Sequence, residues 1–251
     1  MRANPLVVEV LAGLGRRSTA ELHTYGLLVL LAGVLMVWWP KVGLEQVLES
    51  QQAPNTLMAV VLALGIAMAW LALLCGAEEI MLRGQHGLRD WALATSLKAG
   101  RILRGYLLGQ LLYSLHFLAL SLPLLLMAFA ISGGEWAALG WCVAAALVQA
   151  VFYRLCGAIT HLTIGQHRAE SRFTVRAILV LVYVPVGLLA PGTSHVAFTS
   201  RVLGENMGTR SALAAAPDNV VFIAAYAGLV MIAGLALYWR LARERLGMAA
   251  S

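Results

Sequence analysis

The stretch Leu107-Leu-Gly-Gln-Leu-Leu-Tyr-Ser-Leu-His-Phe-Leu-Ala-Leu-Ser-Leu-Pro-Leu-Leu-Leu-Met-Ala-Phe-Ala-Ile131 holds 25 residues without one Asp, Glu, Lys or Arg. A helix rises about 1.5 Å per residue, so this run is long enough to cross a hydrocarbon core about 30 Å thick. Surface helices of soluble domains carry a continuous polar face. Here Gln110, Ser114 and Ser121 are too few to make one. Pro123 falls inside the run, where a tilt or kink is expected.

Outward from it, five more stretches have a similar character: Tyr25–Trp39, Thr56–Cys75, Ala137–Thr160, Val175–Ala190 and Val220–Tyr238. Trp38, Trp39, Trp136 and Trp239 sit at their ends, where amphipathic rings favour the headgroup layer. Apolar residues make up 61% of the chain and charged ones 12%, against about 45–50% and about 25% in soluble domains. Mean hydropathy is +0.80. These observations predict an all-α integral membrane protein of six transmembrane helices, forming a single domain over residues 1–251. Leu6, Val7, Val10, Leu11 and Leu14 share one helical face behind Pro5, which predicts an interfacial helix over 5–17. Glu9 and the late position of Arg16 and Arg17 argue against a signal peptide,.

The basic residues give the orientation. With the N-terminus inside, 15 of the 18 fall on the cytoplasmic side and only Lys41, Arg201 and Arg210 outside. Acidic residues split 7 to 5, without comparable bias. This asymmetry follows the positive-inside rule, placing both termini in the cytoplasm and the chain in the cytoplasmic (inner) membrane. It also accounts for the net charge of +6 without a nucleic-acid partner. Two connections exceed simple turns. The cytoplasmic loop 76–106 interleaves charges with Leu88, Trp91, Ala92 and Leu93, which suggests a short amphipathic helix. The outer segment Pro191–Asn219 contains the apolar pieces His195–Leu203 and Ser211–Ala216 and suits either re-entrant half-helices or an outer loop.

Chemistry-bearing motifs are sparse. Cys75, Cys142 and Cys156 lie in apolar stretches without metal-ligand spacing,. No GxxxxGK[ST], GxGxxG, HExxH, CxxC or GxSxG occurs,. No catalytic residue, metal or bound cofactor is therefore assigned to the chain. Gln110, Ser114 and Ser121 share one face of the third span; Gln149, Tyr153, Cys156 and Thr160 share one face of the fourth. Such stripes line a substrate path or hold helices together by hydrogen bonds. His116 reads as a packing residue, and Arg154 and His161 as side chains that snorkel to the interface.

The loop supplies the most specific pattern. From Gly87 the chain reads Gly-Leu-Arg-Asp-Trp-Ala-Leu-Ala-Thr-Ser-Leu-Lys-Ala-Gly-Arg-Ile-Leu-Arg-Gly105, and the third span ends in Ser121-Leu-Pro and a Gly133-Gly134 turn. This resembles the ABC-type export permeases of the type-2 class. Gly87, Asp90, Ala94, Thr95, Leu97, Ile102, Leu103, Gly105, Leu122 and Pro123 match that pattern. Ser96 stands where the family usually has Pro, and Tyr106 where it has Lys. The resemblance implies the permease subunit of an ATP-driven exporter, paired with a second permease subunit as a homo- or heterodimer. It implies a cytoplasmic ABC ATPase as partner, with ATP and Mg bound by that subunit. Gly87, Leu88, Asp90, Trp91, Ala92, Ala94, Thr95 and Leu97 would then form the docking (coupling) helix. Leu88, Trp91, Ala92 and Thr95 fall on one helical face, an apolar patch of the kind that fills a partner's groove.

Two rival expectations stand beside this one. Glu78-Glu79-Ile-Met-Leu-Arg83 matches the EExxxR pattern of membrane-embedded CAAX-type proteases, with His116 and His161 downstream as possible metal or water ligands. The companion FxxxH and HxxxN/D motifs are not intact, since Leu112 precedes His116 and Gly165 follows His161. The other rival is a structural membrane subunit or small channel.

Overall fold

The computed structural model describes residues 4–8, 18–41, 43, 45–46, 54–78, 97–164, 177, 194–204 and 216–249. Nearly all of them lie in α1 (Ser18–Val37), α2 (Pro54–Glu78), α3 (Ala99–Ser132), α4 (Trp136–Ile164), α5 (His195–Gly204) and α6 (Ala216–Ala249). No strand occurs among the described residues. Helices satisfy backbone N–H and C=O groups within their own segment, as long apolar stretches in lipid must.

Four of these helices carry runs long and apolar enough to cross a membrane: Asn55–Leu74, Ala99–Ser132, Trp136–Thr160 and Asp218–Arg243. They coincide with the second, third, fourth and sixth expected spans. The apolar part of α1, Leu22–Val37, is shorter, just under the usual crossing length of about 17–25 residues. The expected fifth span, 175–190, lies outside the described residues except for a helical Ala177. Of the expected interfacial helix only the turn at 5–8 is described, and it is helical.

Two helices extend past their apolar runs into the expected loop 76–106. α2 continues to Glu78, and α3 starts at Ala99, eight residues before the apolar run at Leu107. Its first turns are amphipathic: Ile102, Gly105 and Tyr106 are buried, while Arg101 and Arg104 are exposed. Charge ends an apolar run without ending a helix, because long cationic side chains reach out over the packed surface. The resulting 34-residue helix is about 51 Å long and runs through Pro123. Proline there has no N–H for the carbonyl one turn back.

At its far end α3 stops at Gly133, whose φ of 62° is left-handed and whose N–H donates to the Phe129 carbonyl. Glycine adopts that conformation without steric cost. Gly134 comes next, against Leu57, where a β-carbon would come within 2.8 Å of the leucine. The Trp136 ring then folds back on Phe129, with centroids 4.1 Å apart, and α4 returns antiparallel to α3.

α2 and α4 form the centre of the bundle and are each other's most extensive neighbours. About half of each apolar run is buried within the protein, against 22% for α6. α6 presents Val221, Met231, Ile232 and Leu235 outward. The main core joins α1 to α5 and reaches Phe222 on α6. A second, smaller core lies at the end carrying Ala99, Leu162 and Leu241; we call this the basic end.

Candidate functional site

Most of the docking segment, Gly87, Leu88, Asp90, Trp91, Ala92, Ala94 and Thr95, lies outside the described residues. Its last member, Leu97, is half-buried against the second core. Beyond Leu97 the chain is firmly tied down. Asn4 donates from its side-chain amide to the Arg101 carbonyl at 2.9 Å, and its side-chain oxygen accepts from the Leu6 N–H at 3.2 Å. Asn4 thereby caps the turn at 5–8, and Leu6 is buried in the second core. Gly105 makes room for this: a β-carbon there would lie 2.7 Å from the Asn4 amide. Gly105 thus receives the N-terminal segment. The root of the loop is clasped by the N-terminus, the end of α4 and the end of α6.

The residues considered for a substrate path are sealed inside the chain. Gln110, Ser114, Ser121, Gln149, Tyr153 and Thr160 are all buried. Gln110 donates to the Ser114 hydroxyl at 2.9 Å. Ser121 donates to the Phe117 carbonyl at 2.6 Å, and Thr160 to the Cys156 carbonyl at 2.8 Å. These three bonds stay within one helix, and Gln110 Oε1 finds no hydrogen-bond partner among the described residues. The apolar crevice between Leu64, Leu118 and Ala146 holds only about 10 Å³ of internal space, room for no more than a water.

Arg154 also departs from expectation. It is buried rather than snorkelling, with its guanidinium 4.7 Å from the centre of the Tyr106 ring. The ring's negative face replaces part of the hydration lost. His116 packs edge-on to Phe117 at 5.9 Å. Glu79 lies outside the described residues, as do the side chains of Glu78 and His161. Among the described residues no three His, Cys, Asp or Glu side chains converge.

A polar junction that periodicity does not single out occupies the opposite end. α5 begins at His195, whose ring is 1% exposed and lies on Gly65 of α2. A methyl group at Gly65 would overlap that ring, so glycine is required by the close approach. The His195 Nε2 and the Thr199 hydroxyl are 3.4 Å apart, and Thr199 in turn bonds the Cys142 side chain of α4. Phe198 stacks on Phe222 at 4.2 Å, and Arg201 donates to the Asn219 side-chain oxygen at 3.3 Å.

These contacts fix the depth of α5 independently. Gly65 is the eleventh residue of the run Asn55–Leu74, about 15 Å along the axis. Cys142 is the seventh residue of α4, about 9 Å from its start. His195 and Thr199 are one turn apart, about 6 Å, which matches the difference between those two depths. Phe222 and Asn219 lie nearer the start of α6 and meet the later residues of α5. The short helix therefore runs from the level of the middle of α2 out to the end where α2, α4 and α6 begin. Packed in this way α5 is a helix within the bundle, and the segments that lead into and out of it, 178–193 and 205–215, lie outside the described residues.

Arg101, Arg104 and Arg243 are exposed at the basic end. Arg243 lies over the Trp239 ring, 4.0 Å from its centre, and Arg240 donates to the Leu162 carbonyl at 3.4 Å. No family model, curated protein or solved structure matches this chain.

Proposed function

We propose that the chain is the membrane-embedded permease subunit of an ATP-driven exporter of the type-2 class. It pairs with a second permease subunit and is driven by a separate cytoplasmic ATPase that binds ATP and Mg. The observation that carries this reading is the run from Gly87 to Gly134: a docking-type segment leading directly into the first turns of α3. The way those turns are held supports it. Asn4, Leu6, Tyr106 and Leu241 bind the loop's root to three other parts of the chain, so a displacement of the loop is passed to the bundle instead of being absorbed locally.

In this reading the chain does no chemistry of its own; its part is to dock, to transmit motion and to shape the path. Because the polar residues of α3 and α4 are enclosed, the path runs between two chains and not through one.

Co-expression of the chain with its cognate ABC ATPase tests the docking role. The wild-type pair copurifies and hydrolyses ATP, while the chain alone does not. Trp91→Glu and Leu88→Glu each place a charge on the apolar patch and abolish copurification. A complex that survives both substitutions would contradict the assignment.

A further inference from the structure

We propose that the basic end is a binding site for the headgroup of an anionic phospholipid, seated between the first turns of α3 and the last turns of α6. These two helix ends are neighbours: the Tyr238 ring lies 3.8 Å from the position of a β-carbon on Gly100, and Ile102 shares a core with Leu237 and Leu241. Arg101 and Arg104 project from one and Arg243 from the other, all exposed. None of the three has an ion-pair partner among the described residues. α3 contains no Asp or Glu at all, so the helix itself offers no counter-charge. Arg240, also on α6, is half-buried and donates to the Leu162 carbonyl, with its Nε unbonded among the described residues.

The surface beside the cations selects a lipid. Leu108 and Leu111 continue the exposed face of α3, and Leu235 that of α6, so apolar surface runs directly away from the guanidinium groups. Trp239, 55% exposed, sits at the boundary, where aromatic rings meet headgroups. Cations above an aromatic belt and an apolar face match an amphiphile with a phosphate head and acyl tails. Guanidinium pairs with phosphate through two parallel hydrogen bonds, and Arg243, held over the indole, loses little freedom on binding. Headgroup binding here requires only that the chain be embedded in a bilayer, whether or not it is an exporter.

The test uses the full-length chain in detergent, offered phosphatidylglycerol or phosphatidylcholine, with retained lipid counted by native mass spectrometry and stability followed by thermal unfolding. Phosphatidylglycerol is retained over phosphatidylcholine by roughly tenfold or more, and raises Tm, with both effects falling as salt screens the site. Arg101→Gln with Arg104→Gln weakens phosphatidylglycerol retention roughly 25-fold, at about fivefold per cation near an anionic headgroup. Its Tm in phosphatidylcholine stays near wild type. Arg201→Gln, at the other end, leaves lipid preference unchanged. Equal retention of the two lipids by the wild-type chain would overturn the proposal, and that arm requires no variant. So would undiminished preference in the double variant, an equal loss in Arg201→Gln, or the same Tm rise from inorganic phosphate alone.

Discussion

Where α5 enters the bundle, His195 is 1% exposed and Thr199 and Asn219 are fully buried, and each meets a side chain on another turn or helix. At the basic end, Arg101, Arg104 and Arg243 stand in the open, although the helices beneath them share a core. One end of the molecule is filled by its own side chains, although His195 Nδ1 and Asn219 Nδ2 find no hydrogen-bond partner among the described residues. The other is completed by something outside the chain, which we assign to lipid headgroups and a docked ATPase. The difference separates stability from function: substitutions at the α5 end should lower stability, and those at the basic end should leave it intact and lower binding.

The strongest test of the first half is Phe198→Ala. The ring is 2% exposed and stacked on Phe222, so truncation should cost about 3 kcal/mol through lost contacts and an unfilled cavity. Thermal unfolding in detergent reads this; a loss below about 1 kcal/mol would mean that α5 is only loosely held. Gly65→Ala comes next, at about 2 kcal/mol, because the added methyl meets a histidine ring with no room to retreat. Combined with His195→Ala, its cost should fall well below the sum of the two single changes. Additive costs would show that the two residues do not share the contact.

At the basic end the effects on stability shrink. Asn4→Ala removes the cap of the first turn and the bond to the Arg101 carbonyl, for about 1 kcal/mol, and should weaken ATPase stimulation in the assembled complex more than it lowers Tm. Arg243→Gln loses an exposed cation–π contact and should change Tm by no more than about 0.5 kcal/mol equivalent. A large loss of stability from Arg243→Gln would erase the contrast between the two ends.

Much of this architecture is written in the sequence at the level of length and charge. The runs at Asn55–Leu74, Leu107–Ile131 and Trp136–Thr160 are too long and too apolar for another solution, and Trp38, Trp136 and Trp239 mark ends that are indeed exposed. Helix starts at the basic end are less legible, because Arg101 and Arg104 end an apolar run while continuing a helix. The polar stripes on α3 and α4 are also ambiguous. Periodicity says which residues share a face, and cannot say whether that face looks into a path or into a neighbour; Ser121 and Thr160 in fact bond back to their own helices. Gly65 against His195 joins residues far apart in the chain, and no local pattern encodes it. The only local trace is the short apolar piece His195–Leu203, with His195 and Thr199 one turn apart.

The asymmetry between the ends rests on the segment between α2 and α3 lying on one side of the membrane and the segment after α5 on the other. Cysteine labelling in intact cells measures this directly, in a chain whose Cys75, Cys142 and Cys156 are replaced by serine. With a membrane-impermeant maleimide, Ser211→Cys should label in intact cells and Ala94→Cys only after permeabilisation. Labelling of Ala94→Cys from outside would contradict the account.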